Sequence, residues 1–147
     1  MPTETGRNHA VSFVINNKAY IGTGYAEYEY FYDFWEFDPQ TNAWVRKADY
    51  GGGYSYGANA FTIGTLGYVS SSKDILPYYG NEFWSYNRSS NTWTRKADIP
   101  GGDRYFPFGF AIGSNGYVGG GISERPYNPD PYSFYRYTTS TTGSTQN

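Results

Sequence analysis

Residues 33–49 read Asp-Phe-Trp-Glu-Phe-Asp-Pro-Gln-Thr-Asn-Ala-Trp-Val-Arg-Lys-Ala-Asp, and residues 82–98 read Glu-Phe-Trp-Ser-Tyr-Asn-Arg-Ser-Ser-Asn-Thr-Trp-Thr-Arg-Lys-Ala-Asp. The two stretches share a Phe-Trp pair, a second tryptophan and the ending Arg-Lys-Ala-Asp, and each shared feature recurs after 49 positions. A third, weaker copy begins at Ser133 with Ser-Phe-Tyr-Arg-Tyr. Repeats of about 20–50 residues indicate stacked supersecondary units, none of which can bury its apolar face alone.

The residues upstream of these stretches repeat as well. Two aromatic positions recur at intervals of 48 and then 49 residues, and they are occupied by Phe13, Phe61, Phe110 and by Tyr20, Tyr68, Tyr117. We therefore divide the chain, a single domain over 1–147, into three units of approximately 7–54, 55–103 and 104–147.

Each unit is predicted to contain four short strands. In the first unit the strands are expected at His9 to Ile15, Lys18 to Gly24, Phe31 to Asp38 and Ala43 to Lys47, with turns at Asn16-Asn17 and at 39–42. Alternating apolar residues with β-branched and aromatic enrichment predict strands rather than helices. The third unit has Ser144 where the others have tryptophan, and its polar tail from Thr138 to Asn147 is expected to fray.

The composition favours an all-β protein built on aromatic packing. Aromatic residues make up 22% of the chain and 18 of them are tyrosines, while charged residues make up 16%, against an average of about 25%. The net charge of −2 provides no footprint for nucleic acid or an anionic membrane. We find no apolar run long enough to span a bilayer and no cysteine for a disulfide or a thiolate metal site.

The repeat resembles the kelch repeat, the blade of kelch and galactose-oxidase-type β-propellers. Kelch repeats carry a glycine doublet after the second strand and an aromatic residue shortly before a tryptophan. In this chain the pairs are Phe37/Trp44 and Tyr86/Trp93, and the clearest glycine run is 119–121. The resemblance covers roughly residues 7–138 and implies an all-β fold of four-stranded antiparallel blades, three per chain. It also implies that Trp35, Trp44, Trp84 and Trp93 lie in the core between blades.

Three blades cannot close a ring, since propellers typically have about 4–8. An open arc exposes the aromatic flanks of its first and last blades, a larger apolar patch than monomers usually show. Either the chain is a piece of a longer protein or two copies close a six-bladed ring. Because the family commonly forms six or seven blades, we expect the homodimer.

Catalytic chemistry finds little support in the sequence. His9 is the only histidine, and a lone histidine in a strand is more often packed or solvated than catalytic. The copper chemistry of galactose oxidase needs two histidines and a cysteine-linked tyrosine, which this chain lacks. We therefore assign no catalytic residue, no metal ligand and no cofactor.

The loops joining the second strand to the third, and the fourth to the next unit, must share one face of such blades. This face is rich in Tyr, Arg and Pro, the usual composition of a recognition surface. The residues expected to bind a ligand are Tyr28, Tyr30, Tyr78, Tyr79, Arg104, Arg125 and Tyr127. Arg104 enters the third unit's first strand much as Arg7 enters that of the first unit, and these two arginines either line the channel mouth or only bond loop carbonyls.

We therefore expect a non-catalytic module that recognises a protein segment or a glycan through its tyrosine-rich loops. The alternatives are a carbohydrate-active enzyme using Tyr, Arg and carboxylates at the channel mouth, and a structural or designed assembly unit without a ligand. Kelch-like chains with the pattern of residues 33–39 resemble exported bacterial proteins, which implies an extracellular or periplasmic location, although residues 1–7 contain no apolar signal segment.

Overall fold

The computed structural model of the chain describes residues 6–70, 72, 74–75, 78–102, 104–122, 134–139 and 144–146. Within these ranges the secondary structure consists of β-strands, without a helix. The strands form three four-stranded antiparallel sheets and two two-stranded hairpins. The all-β class expected from the sequence is therefore confirmed.

Sheet 1 has the order β1-β2-β5-β6, and a hairpin of β3 and β4 interrupts it between β2 and β5. Its strands are β1 (Val11–Ile15), β2 (Lys18–Gly22), β3 (Tyr25–Ala26), β4 (Glu29–Tyr30), β5 (Phe34–Asp38) and β6 (Ala43–Lys47). The turn between β1 and β2 is Asn16-Asn17, with φ of 50° and 60°. Positive φ at both residues is what a two-residue hairpin with the favoured twist requires.

Sheets 2 and 3 repeat this order, as β7-β8-β11-β12 and β13-β14-β15-β16. The strands of sheet 2 and its hairpin are β7 (Asn59–Ile63), β8 (Leu66–Ser70), β9 (Asp74–Ile75), β10 (Tyr78–Tyr79), β11 (Phe83–Asn87) and β12 (Thr92–Lys96). Those of sheet 3 are β13 (Phe108–Ile112), β14 (Asn115–Gly119), β15 (Phe134–Thr138) and β16 (Ser144–Gln146). The first strands of the sheets neighbour each other, β1 beside β7 and β7 beside β13.

Several details differ from the sequence-based expectation. The first strand of sheet 1 begins at Val11 rather than His9, and the second ends at Gly22 rather than Gly24. The third strand of sheet 1 begins at Phe34 rather than Phe31, because the carbonyls of Tyr32 and Asp33 accept hydrogen bonds from loop amides instead. The loop after β2 contains the β3–β4 hairpin, which was not predicted. The tail expected to fray contributes β16, whose residues 144–146 pair with β15.

The core lies between the sheets. We call the face of each sheet that carries Phe13, Phe61 or Phe110 its front face, and the opposite face its back face. The front of sheet 1 packs against the back of sheet 2, in a buried cluster that joins Phe13 and Phe34 to Val69 and Tyr86. The front of sheet 2 packs in the same way against sheet 3, in a cluster that contains Phe61, Tyr68, Val118 and Tyr135.

Glycine allows these faces to approach closely. A Cβ atom at Gly67 would lie 2.2 Å from the Phe13 ring, and one at Gly116 would lie 2.4 Å from the Phe61 ring. Both distances are shorter than a carbon–carbon contact allows, so a phenylalanine of one sheet rests where the next has no side chain.

The tryptophans divide into two pairs. Trp84 and Trp93 pack against the cluster between sheets 1 and 2, and the Trp93 indole donates a 3.1 Å hydrogen bond to the Ala48 carbonyl. Trp35 and Trp44 occupy the equivalent places on the back of sheet 1 and are half-buried there. Trp84 and Trp93 are half-buried as well, so the two pairs differ in their neighbours: the described residues place no sheet against Trp35 and Trp44.

Candidate functional site: an aromatic cluster on the loop face

The loops that follow β2 and β6 meet on one side of sheet 1. The Gly24 amide donates to the Ser55 carbonyl over 2.7 Å, and the Tyr50 amide donates to the Tyr32 carbonyl over 2.7 Å. The rings of Tyr32 and Tyr54 also meet edge to face, with centroids 4.9 Å apart. Residues 23–33 and 48–58 therefore form a common surface, which we call the loop face.

Five aromatic side chains converge on the loop face. The ring centroids of Tyr25 and Tyr30 are 4.9 Å apart, and those of Tyr30 and Tyr56 are 5.5 Å apart. Tyr56 lies 6.1 Å from Phe106, which in turn lies 5.0 Å from His9. These spacings are typical of aromatic pairs that support each other. We call these residues the aromatic cluster.

The repeat explains how His9 and Phe106 meet. His9, Gly57 and Phe106 occupy equivalent places just before the first strands of the three sheets, and their φ angles are 54°, 64° and 52°. Positive φ is unfavourable for His and Phe, so the three sheets share an unusual backbone conformation at this point. A Cβ atom at Gly57 would lie 2.5 Å from the Phe106 ring. Glycine in the middle position therefore leaves room for the flanking rings to touch.

Much of the aromatic cluster is open to solvent. His9 and Phe106 are exposed, and Tyr25, Tyr30 and Tyr56 are half-buried. Tyr30 also lines a neighbouring cleft of about 320 Å³, whose walls include Glu29, Tyr54 and Arg46. The cluster and the cleft together offer ring faces beside a few polar groups, which is the composition of many small-ligand sites.

Buried side chains fasten the loops beneath this surface. Arg7, Ser55 and Arg104 stand at equivalent places before the first strands, and each donates to a carbonyl just past the end of a second strand. The acceptors are the carbonyls of Thr23 at 3.0 Å, Ser72 at 2.8 Å and Gly120 at 2.9 Å. The loop face is therefore held on a rigid base.

Arg7 also forms an ion pair with Asp33. Its second guanidinium nitrogen donates to Asp33 Oδ2 over 3.0 Å, and the Trp35 indole donates to the same oxygen over 2.6 Å. Burial alone would raise the pKa of the Asp33 carboxyl, but these hydrogen bonds outweigh burial and hold that pKa below its usual value. Asp33 is therefore ionised and bonded at neutral pH, which makes it a weak general base.

The residues predicted to bind a ligand are found in different surroundings. Tyr30 belongs to the aromatic cluster, and Tyr28 lies at the tip of the β3–β4 hairpin with 97% of its surface exposed. Tyr78 and Tyr79 form β10. Arg104 is buried, where it bonds the Gly120 carbonyl, as the second interpretation of the arginines anticipated. Arg125 and Tyr127 lie outside the described residues.

Sequence reasoning did not assign a binding role to His9, Tyr25, Tyr56 or Phe106. A signal for two of them was available, because His9 and Phe106 are repeat equivalents at the start of the first strands. His and Phe are not residue types that indicate a positive φ. Of the three equivalent positions, only Gly57 indicated this backbone conformation in the sequence.

Two features are absent from the part of the chain that the structure describes. No group of three or more His, Asp or Glu side chains there could hold a metal ion. The described residues likewise include no helix that is long and apolar enough to cross a membrane.

Comparison with known proteins supports the fold. No protein-family model matches the chain, and no curated protein matches it. Solved structures do match, among them the structure of YjhT, with a TM-score of 0.79 and 18% sequence identity. The match covers 98% of this chain but 52% of the YjhT chain, so this chain spans about half the length of that protein. At this identity the similarity concerns the fold alone.

Proposed function

We propose that the three sheets are kelch-type propeller blades, and that the chain is a non-catalytic binding module whose ligand lies on the aromatic cluster. The blade assignment is supported by the order shared by the three sheets and by the front-to-back packing of neighbouring sheets. The kelch assignment rests on the sequence motifs, notably the spacing of Phe37 and Trp44.

The observation that carries the binding proposal is the exposure of rings on a fixed base. Exposed aromatics on a mobile loop would lose conformational entropy on binding. Here the loops are tied by Arg7, Ser55 and Arg104, and the rings support each other. Tyr and other aromatics supply much of the energy at recognition sites, because they bury a large area with few rotatable bonds.

A glycan is the ligand class that this surface fits best. The cluster is compact rather than an extended groove, and a sugar ring can lay its C–H face on an aromatic face. Its hydroxyl groups would then bond the phenol groups of Tyr25, Tyr30 or Tyr56, which both donate and accept. A peptide segment would instead need a line of partners for its backbone amides and carbonyls.

The experiment is a paired screen of glycan and peptide arrays, followed by calorimetry on the hits. Tyr56→Ala should weaken glycan binding, while Val45→Ala, an exposed apolar truncation away from the cluster, should leave it unchanged. Hits confined to peptides would contradict the ligand class. If NMR showed that the protein converts a hit to products, this result would contradict the non-catalytic assignment and favour the enzyme. No hit on either array would favour an assembly unit without a ligand.

A further inference from the structure

The front face of sheet 3 is uncovered, although the same positions are buried in the other two sheets. Phe13 and Phe61 are 5% and 6% exposed, whereas their equivalent Phe110 is 41% exposed. Ile15 and Ile63 are 2% and 6% exposed, whereas Ile112 is 62% exposed. The described residues place a neighbouring sheet over the first two front faces and none over the third.

The back face of sheet 1 is uncovered in the same way. Its Phe37 is half-buried, whereas the equivalent Tyr86 on sheet 2 is fully buried against sheet 1. Trp44 lies against Phe37 with ring centroids 4.8 Å apart. The equivalent Trp93 makes the same contact with Tyr86, at 4.9 Å, and in addition packs on Phe34 of the preceding sheet.

The two internal interfaces show what an uncovered front face accepts. Each one takes the back face of a following sheet, with aromatic rings and a valine at the contact. Among the sheets that the structure describes, one front face and one back face are unused, and they are of matching type. We infer that a second copy of this chain places the back of its sheet 1 on the front of sheet 3, and that the reciprocal contact closes a ring of six sheets.

Symmetry favours closure over open growth. If three sheets span half a turn, two copies related by a two-fold axis satisfy both unused faces at once. If they span another angle, the same contact produces a ring with a different number of copies when that rotation closes, and an open chain of copies when it does not. The YjhT chain is about twice as long as the part that this chain covers. A second copy supplies a similar length.

The second copy would also complete the candidate site. Within one chain, the Gly57 amide donates to the His9 carbonyl over 3.1 Å, so residues at this place come together where sheets meet. At the interface between copies, Phe106 of one chain would meet His9 of the other. This part rests on the proposed function, whereas the pairing of copies does not.

The pairing is tested by sedimentation of the purified chain without ligand, across a concentration series. We expect a closed dimer of about twice 16.6 kDa. Phe110→Asp on the front of sheet 3, and separately Trp44→Asp on the back of sheet 1, should each raise the dimer dissociation constant at least 100-fold. Tyr28→Asp, a matched change of an exposed aromatic away from both faces, should leave it unchanged. Circular dichroism verifies that each variant is folded.

Mixing the two variants gives the sharpest readout. A dimer of one Phe110→Asp chain and one Trp44→Asp chain has one interface that contains both mutations and one that contains neither. The mixture should therefore dimerise better than either variant alone. Absence of such complementation between folded variants would overturn the inferred interface, and a monomeric or open-ended wild-type chain would overturn the ring. The sedimentation test uses no ligand. A chain that forms the dimer in this test but binds no glycan in the array screen would therefore count against the proposed function and not against the pairing.

Discussion

Arg88 of sheet 2 reaches across to Glu36 of sheet 1, with its Nε atom 3.5 Å from Glu36 Oε2. Glu36 is buried, and on its own sheet it accepts a hydrogen bond from Tyr20 and lies 3.4 Å from the Lys47 amine. Burial opposes ionisation of Glu36, but the Tyr20 hydroxyl and the Lys47 amine outweigh burial and lower the pKa of the carboxyl. Removing one partner of such a group is costly, because the other remains buried and charged.

The lowered pKa of Glu36 predicts a loss of stability in acid. Because the folded-state pKa lies below the unfolded-state value, the unfolded chain takes up the proton first as the pH falls. The stabilisation is therefore present above the unfolded pKa and disappears as the pH drops through the folded pKa. Thermal melting between pH 7 and pH 3 should show a smaller decline for Glu36→Gln than for wild type. Glu27→Gln, at an exposed loop position, serves as the control and should melt with the wild-type profile.

The two tryptophans of the repeat should respond differently to truncation. Trp93 is packed between two sheets, so Trp93→Ala should lower the free energy of unfolding toward the lower end of roughly 3–5 kcal/mol. Trp44 is half-buried on the uncovered face, so Trp44→Ala should cost much less within one chain and act mainly on pairing. Denaturant unfolding at a protein concentration below the dimer dissociation constant measures the loss of stability within one chain, separately from the loss of pairing. Equal losses would show that Trp44 is already packed within the chain.

The sequence predicted the all-β class and the antiparallel sheets because the repeat shows the same apolar pattern three times. Phe13, Phe61 and Phe110 fix which side of each first strand is apolar, and Asn16-Asn17 marks the hairpin turn. Strand boundaries were less accurate, since Phe31 looks like a strand residue but its neighbours bond to loops. The start of this strand is set by the hydrogen bonds between residues 31–33 and the loops, which the sequence alone does not show.

The candidate site was harder to predict than the fold. Tyrosine-rich loops drew attention to the side of sheet 1 on which the aromatic cluster lies, and Tyr30, one of the residues predicted to bind a ligand, belongs to that cluster. The cluster, however, depends on which rings meet across different sheets. Gly57 permits the contact between His9 and Phe106, and this is a relation between three separate repeats that no local pattern encodes.

Tyr56 should be the most sensitive position for ligand binding. Its ring lies at the centre of the aromatic cluster, in contact with Tyr30, Phe106 and His9. Truncating a central aromatic typically costs about 2 kcal/mol or more, roughly thirtyfold in affinity. Tyr28→Ala should cost less, because the Tyr28 side chain is almost fully exposed at the rim. Calorimetry with a glycan hit measures both, and a larger loss for Tyr28→Ala would move the site to the hairpin tip.

Ala19 should limit how tightly two copies pair. In the internal interfaces, Phe13 rests on Gly67 and Phe61 rests on Gly116. The equivalent residue on the back of sheet 1 is Ala19, so at the interface between copies its methyl group would meet the Phe110 ring. Phe110 is exposed and can turn aside, but only by giving up part of the contact.

Ala19→Gly should therefore lower the dimer dissociation constant, although glycine in a strand costs about 1 kcal/mol of stability within the chain. The gain arises because Phe110 could then adopt the position that Phe13 and Phe61 already occupy. Sedimentation compares the variant with Ala10→Gly, which makes the same change outside the β-strands of sheet 1. Should both changes weaken pairing equally, Ala19 does not face Phe110 of a second copy.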